Sequence, residues 1–277
     1  MKKLFLLFAL AGFLIPSCSH DDESQNSFTV PKSKREQARE LLKQLNETNP
    51  YSKMGIGHNE QVSDYLTEIV LTTRSGNSAP SFCQLKQVVS LRVDSMLVTD
   101  SIADYTINEF EEDFDSVMTS YFNAPSEYFQ ASLVEGNVSE SACQYIQQIE
   151  RIVNRNENII ATLDNLNVLQ RMVTMDSLCH QQEMVLSMIS VAANSYELWD
   201  EMIESIPNMQ QSISISNIVN ADLEMAGITS CGNLFAKILD KAVSWKYVVA
   251  VSAGASVWKG ISEINWSGLW NWATSWL

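Results

Sequence analysis

Residues 185–206 read VLSMISVAANSYELWDEMIESI, and their spacing decides the fold. Val185, Ile189, Ala192, Tyr196, Trp199, Ile203 and Ile206 recur at alternating steps of four and three. Such steps put the apolar side chains on one face of an α-helix, and sustained over ~3 heptads they mark an interior helix of a bundle with left-handed packing. A run of this length does not demand a coiled coil with a second molecule. Pro207, which has no amide hydrogen, stops it.

Upstream, one helical period follows another. Ser33-Lys34-Arg35-Glu36 has the form of a capping box, in which two side chains satisfy the free amides of a helix start. Ala38, Leu41, Leu42 and Leu45 then line one face until Asn49-Pro50 ends it. The same box opens at Ser81, Thr106 and Ser141. It precedes seams through Leu85, Val88, Val89 and Met96, through Ile107, Phe110, Phe114, Val117 and Tyr121, and through Tyr145, Ile146, Ile149, Ile152 and Val153. Between them, Pro125 introduces a short helix from Glu127 to Val134 that Gly136-Asn137 closes. The asparagine-rich stretch 154–158 predicts a break or a bend before Ile159, Leu163, Leu166, Leu169 and Val173.

Downstream, Ser212-Ile213-Ser214-Ile215-Ser216 alternates like a strand, but a lone strand has no sheet to join. It reads as a linker into a helix from Ile218 to Met225, closed by Gly227. The expected fold class is therefore all-α, an irregular multi-helix bundle. Residues 33–240 form the bundle, with 241–277 as Trp-rich apolar C-terminal helices packed on the same domain.

The first residues are not part of that fold. Lys2 and Lys3 precede an uncharged apolar run, Leu4 to Ile15, followed by Pro16-Ser17-Cys18. A run this short is a processing signal, since ~20 apolar residues are needed to cross a bilayer. The stretch resembles the lipobox of bacterial lipoproteins. That resemblance implies removal of residues 1–17 and attachment of palmitate-class fatty-acyl chains to Cys18, which would hold the protein to a membrane. Residues 18–32 then form a flexible acidic tether. The Ser-His-Asp-Asp-Glu that follows Cys18 resembles the acidic export signal of surface lipoproteins of the Bacteroidetes. It implies an outer membrane protein facing the cell surface, with the periplasmic face as the alternative.

The net charge of -15, without a basic stripe, argues against nucleic acid as a partner. Cys83, Cys143, Cys179 and Cys231 remain beside Cys18, and export permits disulfides among them in three connectivities or none. No Cys-x-x-Cys spacing suggests redox or zinc chemistry. Glu111, Glu112, Asp113 and Asp115 crowd one helix face without the glycine turn of a calcium loop, so they read as a solvated surface. Neither a metal nor a cofactor is expected.

Asn49-Pro50-Tyr51-Ser52-Lys53-Met54-Gly55-Ile56-Gly57-His58-Asn59 reads as a loop between two helices, the second capped by Asn59 and seamed by Val62, Tyr65, Leu66 and Ile69. Two readings compete for it. In one, Gly55 and Gly57 bring the backbone close to a ligand and His58, near Glu60, serves as base or ligand. In the plainer one, the loop only joins helices and His58 bonds to backbone. Asn49, Pro50, Tyr51, Gly55, His58 and Asn59 are the candidate ligand or structural loop. Cys179-His180 is no thiol dyad, because adjacent helical side chains point ~100° apart.

The motif Asn-Pro-Tyr, the Gly-x-x-His-Asn pattern of Gly55 to Asn59, the run from Ser187 to Trp199 and Ala221-Asp222 together resemble a group of uncharacterised helical lipoproteins of the Bacteroidetes. The resemblance implies location and an all-helical fold, and no mechanism.

Six of the seven tryptophans lie between Trp245 and Trp276. Tyr247 to Trp258 is an uncharged run with a small-residue face at Ala250, Ala253, Gly254 and Ala255, flanked by Lys246 and Lys259. Beyond Gly260, Trp266, Leu269, Trp270, Ala273 and Leu277 hold helical spacing, with Trp272 and Trp276 off that stripe. Three roles fit this tail: final core helices, a segment lying in a bilayer interface, or a partner-docking surface through Trp258, Trp266, Trp270, Trp272 and Trp276. The functional expectation is a lipid-anchored envelope protein acting by binding an unidentified protein or envelope ligand rather than by catalysis. The alternative is a membrane-active, toxin-like effector inserting residues 242–277. A hydrolase built on His58 would be a third class.

Overall fold

The computed structural model describes residues 33–73, 78–99, 106–155, 158–177, 181–205, 214–231, 244–263 and 266–274. The leader, Cys18, the tether, Cys179-His180 and Trp276 fall outside them, as does the side chain of Trp272. Residues 33–277 form one compact unit. Among the described residues every regular element is an α-helix.

In chain order these are α1 (Lys34–Thr48), α2 (Ser52–Thr73), α3 (Phe82–Thr99), α4 (Ile107–Asn123), α5 (Pro125–Glu135), α6 (Glu140–Asn154), α7 (Ile159–Met175), α8 (Gln182–Ser205), α9 (Ile215–Ser230), α10 (Ser244–Glu263) and α11 (Trp266–Thr274). The capping boxes at Ser33 and Thr106 are present with both reciprocal bonds. At Ser81, Gln84 closes the same arrangement. The box expected at Ser141 does not form: the cap sits two residues earlier, where Ser139 accepts from the Ala142 amide without a reciprocal bond. Asn158 caps α7 in the same way, so the asparagine-rich stretch is a helix boundary.

Four helices, α2, α8, α9 and α10, pack against one another at the centre. Around them, α1 and α7 pack on α8 and on each other, α3 on α2 and α10, α5 on α9, and α6 on α7, α8 and α9. The inner helices are buried on more than one face. On α8 every residue from Met184 to Tyr196 is buried, and on α9 only Asn217, Asn220, Glu224 and Ser230 are not among those from Ser216 to Ser230. A helix surrounded on all sides needs small residues for close approach, and Ser190, Ala192, Ala193 and Ser195 supply them on α8.

Gly227, read as a helix end, is a helix interior, and so is Gly260. Gly227 lies within α9, where a Cβ would come within 2.7 Å of the Phe129 ring, and Gly260 lies within α10, where a Cβ would collide with the Trp199 indole. Each leaves room for a ring of a neighbouring helix. The tail is the centre of the fold: α10 packs on α9, α2 and α3, and its residues from Tyr247 to Val257 are all buried. Trp258 lies edge-on to Phe82 at 5.3 Å, and Trp266 is buried 6.1 Å from the Trp270 ring.

Candidate functional site

The segment from Asn49 to Asn59 is a helix start, contrary to the loop its glycines suggest. Asn49 precedes a proline, which excludes the helical region, and takes extended angles (φ -90°, ψ 115°). Its side chain then organises the turn. Oδ1 accepts from the Tyr51 amide at 2.9 Å, while Nδ2 donates to Gln170 Oε1 and to the Leu186 carbonyl, both at 2.9 Å. Gln170 in turn donates to the Leu45 carbonyl at 3.1 Å, satisfying the end of α1. Pro50 is exposed, and Tyr51 is half-buried. The motif therefore joins α1, α2, α7 and α8.

Helix α2 begins at Ser52 and runs through both glycines and through Asn59, so Asn59 is not a cap. At Gly55 the α2 backbone touches α8: a Cβ there would collide with the Ser190 carbonyl oxygen and with Asn194. The Gly55 amide donates to Ser190 Oγ at 3.1 Å, and Ser190 Oγ donates to the Ser52 carbonyl at 3.2 Å. Asn194 donates to its own helix at the Ser190 carbonyl and exchanges bonds with Asn46. Asn59 donates to the Asn194 carbonyl at 2.8 Å. Gly57 has the Trp245 ring over it at 3.4 Å from an added Cβ.

The close approach at Gly55 sets His58 one turn further into the centre, where it is 0 % exposed. Its Nδ1 lies 3.3 Å from Asn59 Oδ1. Because the Asn59 amide nitrogen is already donating, that oxygen faces the ring and Nδ1 is the donor. Nε2 faces Oδ2 of Asp222, on α9, at 3.7 Å, beyond hydrogen-bond distance. Asp222 Oδ2 accepts from Ser195 Oγ of α8 and from Ser256 Oγ of α10, the latter at 3.0 Å. Ser256 Oγ also receives the Trp199 indole hydrogen at 3.0 Å. Each of the four inner helices thus contributes to one polar hub, and His58, Ser195, Asp222, Ser256 and Trp199 are all 0 % exposed.

A serine, a histidine and an aspartate invite comparison with a nucleophilic triad, but the connectivity is wrong. Activation of a serine needs the imidazole between hydroxyl and carboxylate, taking the hydroxyl proton. Here the carboxylate is the centre, and both hydroxyls donate directly to it. Glu60, the acid expected beside His58, is exposed. The geometry orders the core and does not present a nucleophile to solvent.

No protein-family model, curated protein or solved structure matches the chain.

Two surface depressions lie elsewhere. One, between α1 and α8, has a volume of about 10 Å³ and is lined by Arg35, Arg39, Glu197, Asp200, Glu201 and Glu204. Arg35 pairs with Glu201 at 2.9 Å and Glu204 at 3.0 Å, and Arg39 with Glu201 at 3.1 Å. Burial pushes Glu197 and Asp200 above the usual carboxylate range, with nearby acids adding to the shift and the basic side chains opposing it. The other is a shallow groove of about 460 Å³ over Leu42, Lys43, Asn46 and Ile56. Among the described residues no three His, Cys, Asp or Glu side chains converge as a metal site would require.

Sequence reasoning singled out His58 and did not find its partners. Asp222 carried one available signal, an acid set between Ala221 and Leu223 in a helix seamed by Ile218, Val219 and Met225. Ser195, Ser256 and Trp199 carried none beyond small or aromatic residues on core-facing positions. The tryptophans split: Trp258 and Trp270 are half-buried and Trp266 buried, all on core-packing helices.

Proposed function

We propose that this chain is a lipid-anchored, non-catalytic protein of the bacterial cell envelope, held by fatty-acyl chains on Cys18 and facing the cell surface, that acts by binding through the outside of its acidic bundle. The non-catalytic part is supported by one observation: among the described residues, His58, Ser195 and Asp222 are sealed together at 0 % exposure, with the aspartate rather than the histidine at the centre. The anchoring part is supported by the leader and by Leu14-Ile15-Pro16-Ser17-Cys18. Detergent-phase partitioning of cell extracts tests it. The full chain is expected in the detergent phase and accessible to protease on intact cells, whereas Cys18→Ser is expected in the aqueous phase. Equal partitioning of the two would remove the proposal.

A membrane-active, toxin-like effector is the second reading, favoured by one feature: α9 and α10 are mostly buried and pack against each other at the centre. No helix among the described residues is long and apolar enough to cross a membrane, and Asp222 sits midway along α9. Dye release from liposomes by the purified full chain would support this reading. Intact liposomes at every protein concentration would eliminate it.

A further inference from the structure

Cys83 on α3 is exposed, whereas Cys143 on α6 and Cys231 at the end of α9 are half-buried, and all three are free thiols. The last two lie at the same corner of the bundle, beside the turn from α5 to α6. Gly136 begins it with no side chain because Cys231 fills the space: a Cβ at Gly136 would lie 2.7 Å from the Cys231 Cβ and 3.1 Å from its Sγ. Two residues on, the Val138 carbonyl oxygen lies 3.9 Å from Cys143 Sγ. A two-residue step spans at most ~7 Å, so both sulfurs sit beside one short piece of backbone.

That backbone is held. Asn137 takes a left-handed conformation (φ 51°), the Val138 amide donates to the Leu133 carbonyl, and the Gln181 side chain bonds both the Asn137 carbonyl and the Ser139 amide. The two thiols also feel each other. Burial pushes the Cys231 thiol up to about 11, and a charge on Cys143 adds to the shift. Burial raises the Cys143 thiol as well, with Glu140 adding to it. High values keep both thiols protonated and slow to react until an oxidant is supplied.

We propose that Cys143 and Cys231 are the pair that closes into a disulfide, joining α6 to the end of α9, when the chain meets a disulfide-bearing oxidant. The step balances as thiol–disulfide exchange. The Cys143 thiolate attacks one sulfur of the external disulfide and bonds to it, expelling the other half as a thiolate. The Cys231 thiolate then attacks the Cys143 sulfur and expels the second half. The two protein thiols lose two electrons and two protons, and the oxidant is reduced to two thiols. Closure in the cell rests on the proposed export, whereas pairing in the tube does not.

The test uses the purified full chain, reduced and then exposed to oxidised glutathione, with remaining thiols blocked by N-ethylmaleimide and peptides mapped without reduction. The expected map joins the Cys143 and Cys231 peptides and leaves Cys83 alkylated. Cys143→Ala and Cys231→Ala should each abolish the joined peptide, and reductant should lower the melting temperature of the oxidised wild type but not of either variant. Full alkylation of both thiols, or a bridge through Cys179 or Cys83 instead, would overturn the pairing. A bridge formed in the tube, with both thiols free in protein trapped from cells, would uphold the pairing and count against export.

Discussion

Replacing Asp222 by alanine removes the acceptor on which the centre converges. The Ser195 and Ser256 hydroxyls both lose their acceptor, and His58 Nε2 loses the group it faces at 3.7 Å. All of these groups are sealed from water, so solvent cannot replace what is lost. A buried hydroxyl left without its acceptor costs about 1–3 kcal/mol, and Asp222→Ala strands two of them, so the expected loss is about 2–6 kcal/mol. For a domain of this size each kcal/mol lowers the melting temperature by ~2–4 °C, so a fall of roughly 5–20 °C is expected. Asp222→Asn keeps the volume and one acceptor oxygen and should cost about 1–3 kcal/mol. Urea unfolding followed by circular dichroism measures all of these. His58→Ala combined with Asp222→Ala should cost less than the sum of the two, because the second change removes a group already stranded. A loss below about 1 kcal/mol for Asp222→Ala, or strict additivity in the double variant, would refute the view that this hub fastens the inner helices.

Gly55→Ala pushes a methyl group into the Ser190 carbonyl, which is backbone and cannot rotate away. Overpacking of this kind costs about 1–3 kcal/mol, so the variant should melt several degrees lower, while Ile56→Ala at an exposed neighbour should change the melting point little. Burial raises the carboxyls of Glu150, Glu197, Asp200 and Glu224 above their unfolded values. The folded chain then holds protons more tightly than the unfolded one. The resulting stabilisation is fully present below the unfolded value of ~4.3 and is lost as pH rises through the folded values. Melting temperature should climb as pH is lowered toward about 4.3, and a steady decline on that approach would contradict the assignment.

Much of the architecture is legible in the chain. The boxes at Ser33, Ser81 and Thr106 announce their helices because their capping chemistry is local, within three residues. The apolar seams name the core for the same reason. What escapes is set by partners far along the chain. Gly55 and Gly57 look like loop residues until α8 and α10 supply the surfaces that require them small. Gly227 looks like a helix end until the ring of Phe129 occupies the place of the missing side chain. The hub is hidden most completely, since His58, Ser195, Asp222 and Ser256 come from four helices and no periodicity links them.

The anchoring claim has a direct chemical readout. Protein recovered from the envelope of cells expressing the full chain, digested and weighed, should yield an N-terminal peptide that begins at Cys18 and carries fatty-acyl mass. A peptide that runs unbroken from Ser17 into an unmodified Cys18 would contradict it.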